Sequence, residues 1–479
     1  MAKSRQLPGA AWRPDPRSSQ PLYRQVYERF REAIRNGALQ PGERLPSARS
    51  LASQLSAARG TVDLAYNLLS SEGYIVSRGA AGTFVAQGLT AALRHSPIRS
   101  EEASARGARA QRRAPRIVIN PFQMGVPALD AFPRALWCRL SARRARTLTV
   151  DTMIGDLAGG YAPLRDAIVS YLTVARGIRC HAGQIIITTG FQGALSLLTR
   201  AFLRPADEVW FEDPGYYFAR EALDVAGARV VPVPVDSEGL DVAAATDRAP
   251  HARMAYVTPA HQAPLGLALT LPRRLALLSW AARSKAWIVE DDYDSEYRYG
   301  SRPLPALKSL DEAGRVLYVG TFSKVLFPGL RLGYLVVPDA EVDRVIQVRQ
   351  LLHRGAPLLL QAVVADFMSE GHFARHIKRM RALYEERRAS LAHALAQVFD
   401  DRLTVQLQAG GMHLIGKVPA AKEDRDLVAR AQAHALAPGS LSTWYSKPGR
   451  NDHGLLLSFT NIASESAREV AVRLRRALE

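Results

Sequence analysis

The sequence is poor in cysteine and in acidic residues, and it contains no long apolar run. Its two cysteines, Cys138 and Cys180, provide neither a disulfide framework nor the spacing of a metal site. No run of about 18 apolar residues occurs, so no transmembrane helix is predicted. The N-terminal stretch MAKSRQLPGAAW lacks the apolar core of a signal peptide. We therefore expect a cytoplasmic protein without a metal ion and without a membrane partner.

The shortage of acidic residues is greatest at one end of the chain. Lys and Arg number 63 against 45 Asp and Glu, which gives a net charge of +18. Residues 1–116 alone contain 19 Lys and Arg but only 8 Asp and Glu. Such local basicity predicts an acidic partner such as nucleic acid, and a merely solvated basic surface is the alternative.

Length and composition divide the chain into four segments. A chain of 479 residues is too long for one compact core and fits two or three domains. We interpret residues 1–20 as a loose tail and residues 21–86 as a small helical domain. Residues 87–116, with 7 Arg against 2 Glu, are typical of a flexible basic linker, which could add non-specific DNA affinity or be only a tether. Residues 117–479 form a large α/β domain.

The small domain has the pattern of a winged helix-turn-helix. Apolar residues recur at helical spacing through residues 22–34, and this helix is expected to end near Asn36. Ser47 stands at the N-cap position of a short second helix, and residues 58–72 predict a third. The segment YIVSRGAAGTFVA then predicts two short strands around a Gly-rich turn. In such a domain the third helix lies in the DNA major groove.

The large domain alternates strand and helix patterns. The alternation runs over about 220 residues, which predicts a mostly parallel sheet with helices on both faces. We place its large part at about residues 150–340 and a small α+β part at about residues 341–479, together with the start of the domain. There, FQMGVPALDAFPRALWCRL predicts a strand and a helix. Active sites of such folds lie beyond the carboxyl ends of the strands.

The stretch TFSKVLFPGLRLGYLVV contains the most informative lysine of the chain. Lys324 follows a strand-like run and lies between hydroxyl groups and apolar residues, which disfavours its charged form and makes it a nucleophile toward an aldehyde. Thr321, Ser323 and Arg331 are donors of the kind that bind phosphate. An aldehyde and a phosphate on one small molecule describe pyridoxal 5′-phosphate, whose ring nitrogen needs a carboxylate. From this stretch alone, a surface lysine and a structural arginine are the alternative.

Several segments resemble known families. LPSARSLASQLSAARGTVDLAYNLLSSEGYIVSRGAAGTFV resembles the DNA-binding domain of GntR-family regulators. The phrases EDPGY, VTPAHQAPLG, VEDDYDSEYRY and GTFSKVLFPGLRLGY resemble the fold-type I, pyridoxal-phosphate-dependent aminotransferases, and this likeness covers nearly all of residues 117–479. Joined in one chain, the two parts resemble the MocR subfamily of GntR-family regulators.

The resemblance implies a multidomain fold and a set of partners. An N-terminal winged helix-turn-helix (α+β) would be joined by a linker to an α/β aminotransferase-like domain with a small α+β C-terminal subdomain. The partners would be double-stranded DNA with operator repeats, pyridoxal 5′-phosphate, an amino acid or amine effector, and a second copy of the chain in a homodimer.

By the same resemblance, five residues of the small domain would meet DNA. Arg49, Arg59 and Thr61 would be the main contacts, Ser47 would cap the second helix near a phosphate, and Arg78 in the wing would approach the minor groove. Phosphate contacts set affinity and register, whereas base contacts choose the sequence.

The resemblance also assigns the cofactor residues. Lys324 would be the Schiff-base lysine, Asp291 would pair with the ring nitrogen, Tyr293 would donate to the phenolic oxygen, and Tyr216 would stack on the ring. The phosphate would be held by two groups of residues, Gly190, Phe191 and Gln192 with their backbone N–H groups, and Thr321, Ser323 and Arg331.

Five further residues near these motifs receive more varied roles. Tyr161 matches the tyrosine that reaches the phosphate of a neighbouring subunit, and His261 would lie near the phenolic oxygen. Asp292 and Asp294 are interpreted as solvent-facing or structural carboxylates. His413 is either a site residue or simply part of the small subdomain.

Two departures from the aminotransferase pattern concern the substrate carboxylate. Leu455 and Leu456 occupy the strand on which aminotransferases carry their carboxylate-binding arginine, although Lys447 and Arg450 lie just upstream and could substitute. Phe218 stands where relatives that respond to an amino-acid effector carry an arginine. These departures favour an effector pocket over a site of turnover.

The sequence therefore predicts a transcription regulator that senses pyridoxal 5′-phosphate or its adduct with an amine. Two alternatives remain open. One is a catalytically active aminotransferase with an appended DNA-binding domain. The other is a regulator whose cofactor is permanent and whose signal is a separate ligand.

Overall fold

The protein is described by a computed structural model, which divides the chain into two compact units, Met1–Ile117 and Val118–Glu479. The residues that it describes are 12–15, 18, 20–87, 118–155, 159–299, 304–352, 355–418, 423–449 and 452–479. Most of the predicted tail and all but the first residue of the predicted linker lie outside these ranges. Within them, no helix is both long and apolar enough to span a membrane.

The first unit contains three helices followed by a hairpin, as the sequence predicts. Its elements are α1 Leu22–Arg35, α2 Ala48–Leu55, α3 Arg59–Ser71, β1 Ile75–Ser77 and β2 Thr83–Val85, the two strands being antiparallel. The apolar face of α1 packs on α3, where the rings of Phe30 and Tyr66 meet edge-on with centroids 5.6 Å apart.

Side-chain and backbone caps fix the turn between α2 and α3. The Ser47 hydroxyl accepts a hydrogen bond from the backbone N–H of Ser50 at 3.1 Å, which satisfies one free donor at the start of α2. The helix ends at Ser56, whose φ of 51° is left-handed. Only three residues then separate α2 from α3, so both helices are held in the geometry of a helix-turn-helix.

The second unit has more elements, which we number in chain order. They are α4 Arg134–Arg146, α5 Val150–Ile154, α6 Ala162–Arg176, β3 Ile185–Thr188, α7 Gly190–Phe202, β4 Glu208–Asp213, α8 Tyr217–Val225, β5 Arg229–Asp236, β6 Gly239–Leu240, α9 Val242–Arg248, β7 Met254–Val257, α10 Leu271–Ser284, β8 Trp287–Asp292, β9 Val316–Thr321, β10 Gly333–Val336, α11 Val342–Leu352, α12 Leu358–Ser369, α13 His372–Phe399, β11 Thr404–Gln406, β12 His413–Lys417, α14 Asp424–Ala433, β13 Gly439–Ser440, β14 Leu455–Ser458 and α15 Ala467–Leu478.

A large sheet of eight strands forms the centre of this unit. Its strand order is β3-β10-β9-β8-β7-β4-β5-β6. The strands β9, β8, β7, β4 and β5 are parallel, whereas β10 and β6 run antiparallel to their neighbours. The prediction of a mostly parallel sheet is thus confirmed. Because β3 runs in the same direction as β9, the loops that follow β3, β4, β7, β8 and β9 open at one edge.

The strands of this sheet are buried on both faces. Every residue of β7, β8 and β10 is buried, as expected where helices cover a sheet on both sides. One charged pair lies inside this core. Arg176 on α6 binds Asp292 on β8 at 2.7 Å, and the Tyr318 hydroxyl donates to the same carboxylate at 2.5 Å.

The small part is an antiparallel sheet of four strands, β11-β12-β14-β13, covered by α13, α14 and α15. Phe122 and Ala128, near the start of the unit, pack into the same core. The strand predicted there is wrong, since Phe122 makes only an isolated bridge to Ser458. Phe122 and Gly125 have positive φ angles of 70° and 77°, and Pro127 follows, so an extended run cannot form.

Candidate functional site

A cavity of about 360 Å³ opens at the sheet edge where the loops after β3, β4, β8 and β9 meet. The small part contributes to its wall through Met412 and His413 at the start of β12 and Trp444 after β13. Ten residues predicted from the sequence line it, namely Gly190, Phe191, Gln192, Tyr216, Asp291, Tyr293, Thr321, Ser323, Lys324 and Arg331. The structure thus brings together residues that are up to about 140 positions apart in the chain.

Lys324 follows β9 at the bottom of the cavity. Its Nζ donates a hydrogen bond to the backbone carbonyl of Gly125 at 3.1 Å. Burial lowers the pKa of Lys324, and the carboxylates of Asp294 and Asp291 oppose this shift in that order. A lysine with a lowered pKa is more often neutral, and the neutral amine is the nucleophile.

Asp291 and Asp292 end β8 and point to opposite faces of the sheet. Asp291 faces the cavity and accepts a hydrogen bond from the Tyr256 hydroxyl on β7. Burial raises the pKa of Asp291 to about 7 in spite of this hydrogen bond. A cationic ring nitrogen would offset the cost of ionising such a carboxyl group. Asp292, in contrast, is the structural carboxylate that the sequence predicts.

Tyr293, His261 and Asp294 form one cluster beside the lysine. The Nδ1 atom of His261 lies 3.0 Å from the Tyr293 hydroxyl and 3.0 Å from the Asp294 carboxylate. Asp294 is only 2% exposed, so the solvent-facing interpretation is wrong, and its place in the cavity lining also makes it a residue of the site. His261 itself is buried behind Tyr293 and is not part of the lining.

His413 also lines the cavity, at the start of β12. Its Nε2 donates to the carbonyl oxygen of Pro264 at 2.9 Å. Burial lowers the pKa of His413 to about 4, and the neighbouring His261 acts in the same direction. His413 is therefore neutral at physiological pH and serves as a hydrogen-bonding and packing group.

One end of the cavity is suited to an anion. The helix α7 begins at Gly190 and directs its free backbone N–H groups into the cavity. The Arg331 guanidinium donates to the side-chain oxygen of Gln192 at 3.3 Å, so it lies beside this helix start. Thr321 and Ser323 add two hydroxyl groups. All of the residues predicted to hold the phosphate therefore line one end of the cavity, where their donors suit an anion.

Aromatic residues form the opposite wall. The Tyr216 ring lies 5.7 Å from the rings of both Phe191 and Trp444, measured between centroids. Sequence reasoning missed Trp444, because it comes from the small part far along the chain. It also missed Met124 and Gly125, near the start of the unit, and Met412, just before β12, which line the cavity as well.

Tyr161 does not line this cavity. It precedes α6, its backbone N–H donates to the Gln361 side chain at 2.8 Å, and it lines a second cavity together with Arg144 and Arg165. Tyr161 therefore lies apart from the cavity that contains Lys324 of its own chain.

The residues predicted to bind DNA all reach the surface of the first unit. Arg59 is the first residue of α3, its side chain is 71% exposed, and its guanidinium lies 3.4 Å from Asp63. Arg49 is exposed near the start of α2, and Thr61 is partly exposed on the first turn of α3. Arg78 lies over the Phe84 ring at 5.2 Å, at the base of the hairpin turn.

Comparison with known proteins supports both units. The family model "Aminotransferase class I and II" matches residues 155–440, and "Bacterial regulatory proteins, gntR family" matches residues 22–85. Among the described residues, no group of three or more His, Cys, Asp or Glu side chains is arranged to hold a metal ion.

Similar proteins have both parts or only the second. The "Probable rhizopine catabolism regulatory protein MocR" of Rhizobium meliloti is 39% identical over 95% of this chain and 94% of its own length. The "HTH-type pyridoxine biosynthesis transcriptional regulator PdxR" of Corynebacterium glutamicum is 33% identical over 94% of both chains. The crystal structure of the α-aminoadipate aminotransferase LysN from Thermus thermophilus, in complex with N-(5′-phosphopyridoxyl)-L-leucine, superposes with a TM-score of 0.68 at 31% identity, over 74% of this chain and 91% of that one.

The fold and the two families define a DNA-binding regulator with an aminotransferase-type domain of fold type I, whose cofactor is pyridoxal 5′-phosphate. The chain belongs to the MocR subfamily of GntR-family transcription regulators. The cavity fits this cofactor, because it combines a lysine of lowered pKa, a buried carboxyl group of raised pKa and an anion-binding end.

Proposed function

We propose that this regulator binds operator repeats in the cytoplasm as a homodimer, and that the state of its cofactor cavity sets the affinity for the operator. The signal is pyridoxal 5′-phosphate itself or its adduct with an amine. The proposed domain boundaries are 1–20 for the tail, 21–86 for the DNA-binding domain, 87–116 for the linker and 117–479 for the cofactor-binding domain. The observation that carries the proposal is a cavity equipped for the cofactor but without a described cation for a substrate carboxylate.

Each cavity residue has a proposed role toward the cofactor. Pyridoxal 5′-phosphate supplies an aldehyde that combines reversibly with amines. Lys324 holds that carbon, Asp291 pairs with the ring nitrogen, and Tyr293 donates to the phenolic oxygen while His261 holds its hydroxyl in place. Tyr216 covers the ring face. The proposed phosphate donors are Gly190, Phe191, Gln192, Thr321, Ser323 and Arg331.

The homodimer is proposed because Tyr161 lies apart from the cofactor cavity of its own chain. Tyr161 lies in a cavity of its own, and we assign it to the phosphate of the neighbouring subunit. Val150, Met153 and Ile154 on α5 are 70%, 70% and 78% exposed, and helix α5 lines the Tyr161 cavity. Exposed apolar groups of this kind are typical of an interaction surface. A second copy would also present two DNA-binding units to repeated half-sites.

DNA recognition is assigned to the start of α3 and to its neighbours. Arg59 and Thr61 face the bases, Arg49 and Ser47 contact the backbone, and Arg78 enters the minor groove. All five lie at helix starts or at the hairpin, where a winged helix-turn-helix meets the duplex.

An active aminotransferase with an appended DNA-binding domain is the second candidate. It is favoured by one observation, that the lysine and its carboxylate Asp291 line the same cavity. Against it stand Leu455 and Leu456 on β14, both fully buried, where turnover of amino acids needs a cation. We therefore expect partial reactions at most.

The test is operator affinity without cofactor and at saturating cofactor, for the wild type and for Lys324→Ala. The proposal expects a coupling of about 1–3 kcal/mol in the wild type, because a ligand can shift affinity only by its preference for one state. The coupling should be lost in the variant. Equal affinity in all four combinations would contradict it. Steady transamination that is independent of operator DNA would favour the second candidate.

A further inference from the structure

The described cavity lining contains two cationic side chains, and the proposed function gives each of them a role toward the cofactor. Among the described residues of the lining, only Lys324 and Arg331 are cationic. Arg331 lies beside Gln192 at the anion-binding end, and Lys324 donates to the carbonyl oxygen of Gly125. Neither is left to bind the carboxylate of a second molecule.

Ala263 and Trp444 form an apolar part of the cavity lining, and Leu455 and Leu456, both 0% exposed, lie behind the lining and are not part of it. Leu456 belongs to a compact apolar cluster together with Ala263, Ile415, Leu441 and Trp444. A carboxylate brought against this cluster would lose its hydration and gain no charged donor in return, so its burial is unfavourable.

Nearby cations of the described chain are directed elsewhere. Lys447 is exposed in the loop before β14 and is not part of the cavity lining. Arg220 on α8 donates to the carbonyl oxygen of Trp444 at 3.4 Å and to the Ser446 hydroxyl at 3.3 Å, and it does not line the cavity either. Arg450, named above as a substitute, lies outside the described residues.

The remaining wall is suited to a ligand that carries one ammonium group on an otherwise uncharged carbon skeleton. Asp294 is buried in the lining, and its charge acts on Lys324 more strongly than that of Asp291. Tyr217 and Phe218 add a pair of rings with centroids 4.3 Å apart, and Trp444 lies 5.5 Å from Tyr217. Carboxylates attract ammonium groups, and aromatic faces bind both cations and apolar groups.

From this wall we infer that the effector is a primary amine that carries no carboxylate. Its nitrogen would approach Lys324 past Asp294, and its uncharged body would lie against Tyr217, Phe218 and Trp444. The inference rests on the proposed function, in which this cavity is the sensor, and it adds the chemical class of the ligand.

The test compares ligands that differ only by a carboxylate. The full-length protein, loaded with cofactor, is titrated with 2-phenylethylamine and L-phenylalanine, and separately with pentylamine and L-norleucine. Binding is followed by the cofactor's absorbance and by calorimetry. We expect each amine to bind at least tenfold more tightly than its amino acid. Equal binding, tighter binding of the amino acids, or no binding of either amine would overturn the inference.

Two pairs of variants localise the preference. Leu456→Arg, which places a cation directly behind the lining residues Ala263 and Trp444, should shift the ligand preference at least tenfold toward the amino acids, whereas Leu456→Met, which keeps this cluster apolar, should leave the preference unchanged. Asp294→Asn should weaken amine binding at least tenfold, whereas Asp247→Asn, an exposed residue on α9, should not. Cofactor occupancy is checked for every variant. If Leu456→Arg does not fold, the Asp294 pair decides alone, and unchanged amine binding by Asp294→Asn would refute the assignment.

The outcomes separate this inference from the proposed function. Amines that bind as expected but never change operator affinity would leave the ligand class standing and remove the sensor. Amino acids that bind more tightly and do change operator affinity would leave the sensor standing and remove the ligand class.

Discussion

The amine of Lys324 donates its hydrogen bond to the backbone carbonyl of Gly125, 199 residues earlier in the chain, at 3.1 Å. Gly125 lies between Phe122 and Ala128, and these two side chains are buried in the core of the small part with α13 and α15. The lysine of the cofactor cavity is therefore tied directly to the segment that anchors the small part.

The first prediction concerns Gly125. Its φ is 77°, and an added Cβ would lie 2.5 Å from Lys324 Nζ, so Gly125→Ala should both strain the backbone and displace the lysine. We expect a loss of about 1–2 kcal/mol in unfolding free energy and weaker cofactor binding. Gly314→Ala is the control, because its φ of 64° is also positive but the nearest atom to its Cβ would be 3.8 Å away. A loss of stability with unchanged cofactor affinity would show that the tie does not matter.

The second prediction concerns covalent attachment of the cofactor. Borohydride reduction of the loaded protein, followed by peptide mass spectrometry, should find the cofactor on Lys324. The Lys324→Ala variant should carry none, because the neutral amine that burial favours is then missing. Lys285→Ala, an exposed lysine after α10, should behave as the wild type does. Cofactor fixed to another lysine in the wild type would disprove the assignment.

The third prediction concerns DNA. Arg59→Ala should weaken specific operator binding by about 1–3 kcal/mol, and the Arg49→Ala, Arg59→Ala double variant should lose more. Wild-type affinity should fall steeply with rising salt. Folding should be unaffected, because the exposed pair of Arg59 with Asp63 contributes little. Arg35→Ala, on α1, is the matched control. Operator binding by the double variant equal to that of Arg35→Ala would rule out this interface.

The fourth prediction concerns pH and the cofactor-free protein. Burial raises the pKa of Asp291 from 3.8 to about 7, so the folded state keeps a proton that the unfolded chain releases, and stability falls as the pH rises through this window. Asp291→Asn should remove this loss and stabilise the cofactor-free protein by about 2–4 kcal/mol at pH 8 but hardly at pH 4. Urea unfolding at pH 4 and pH 8 measures this change in unfolding free energy, with Asp247→Asn as the control. A stabilisation of equal size at both pH values would contradict the raised pKa.

The fifth prediction concerns the dimer. Sedimentation equilibrium should find a homodimer at micromolar concentration. Tyr161→Phe should leave the dimer intact but weaken cofactor binding by about 1.5–3 kcal/mol, the value of a hydrogen bond to a charged group. Tyr23→Phe in the first unit serves as the control. Full cofactor affinity in a monomeric protein would count against the shared site.

Much of the site could be predicted because its residues follow strands. Lys324 follows β9 by three residues and Asp291 lies at the end of β8, and parallel strands bring such ends to one edge of the sheet. Trp444 could not be predicted, since its place in the cavity depends on how the small part packs on the large one. Asp294 was misjudged for a related reason. Its role depends on His261, which follows β7, and no local pattern joins the two.

The sequence predicts the fold of the first unit better than it predicts the start of the second unit. In α1 the helical period of apolar residues continues for three turns, and Ser47 gives a clear capping signal. Around Phe122 the local composition favours a strand, but two positive φ angles and a proline prevent it. There, tertiary packing against α13 overrides local propensity.

The place of β3 in the sheet has a consequence for the synthesis of this protein. Among the described strands its one neighbour is β10, which is made almost 150 residues later, so the apolar strand Ile185–Thr188 leaves the ribosome before this neighbour exists. An unpaired apolar strand is a template for aggregation. We therefore expect a nascent chain that ends before Gly333 to need chaperones, and release from them to coincide with the insertion of β10. Only then do Gly190 and Arg331 meet, so, if these residues bind the cofactor phosphate as proposed, we expect cofactor binding to wait for completion of the central sheet.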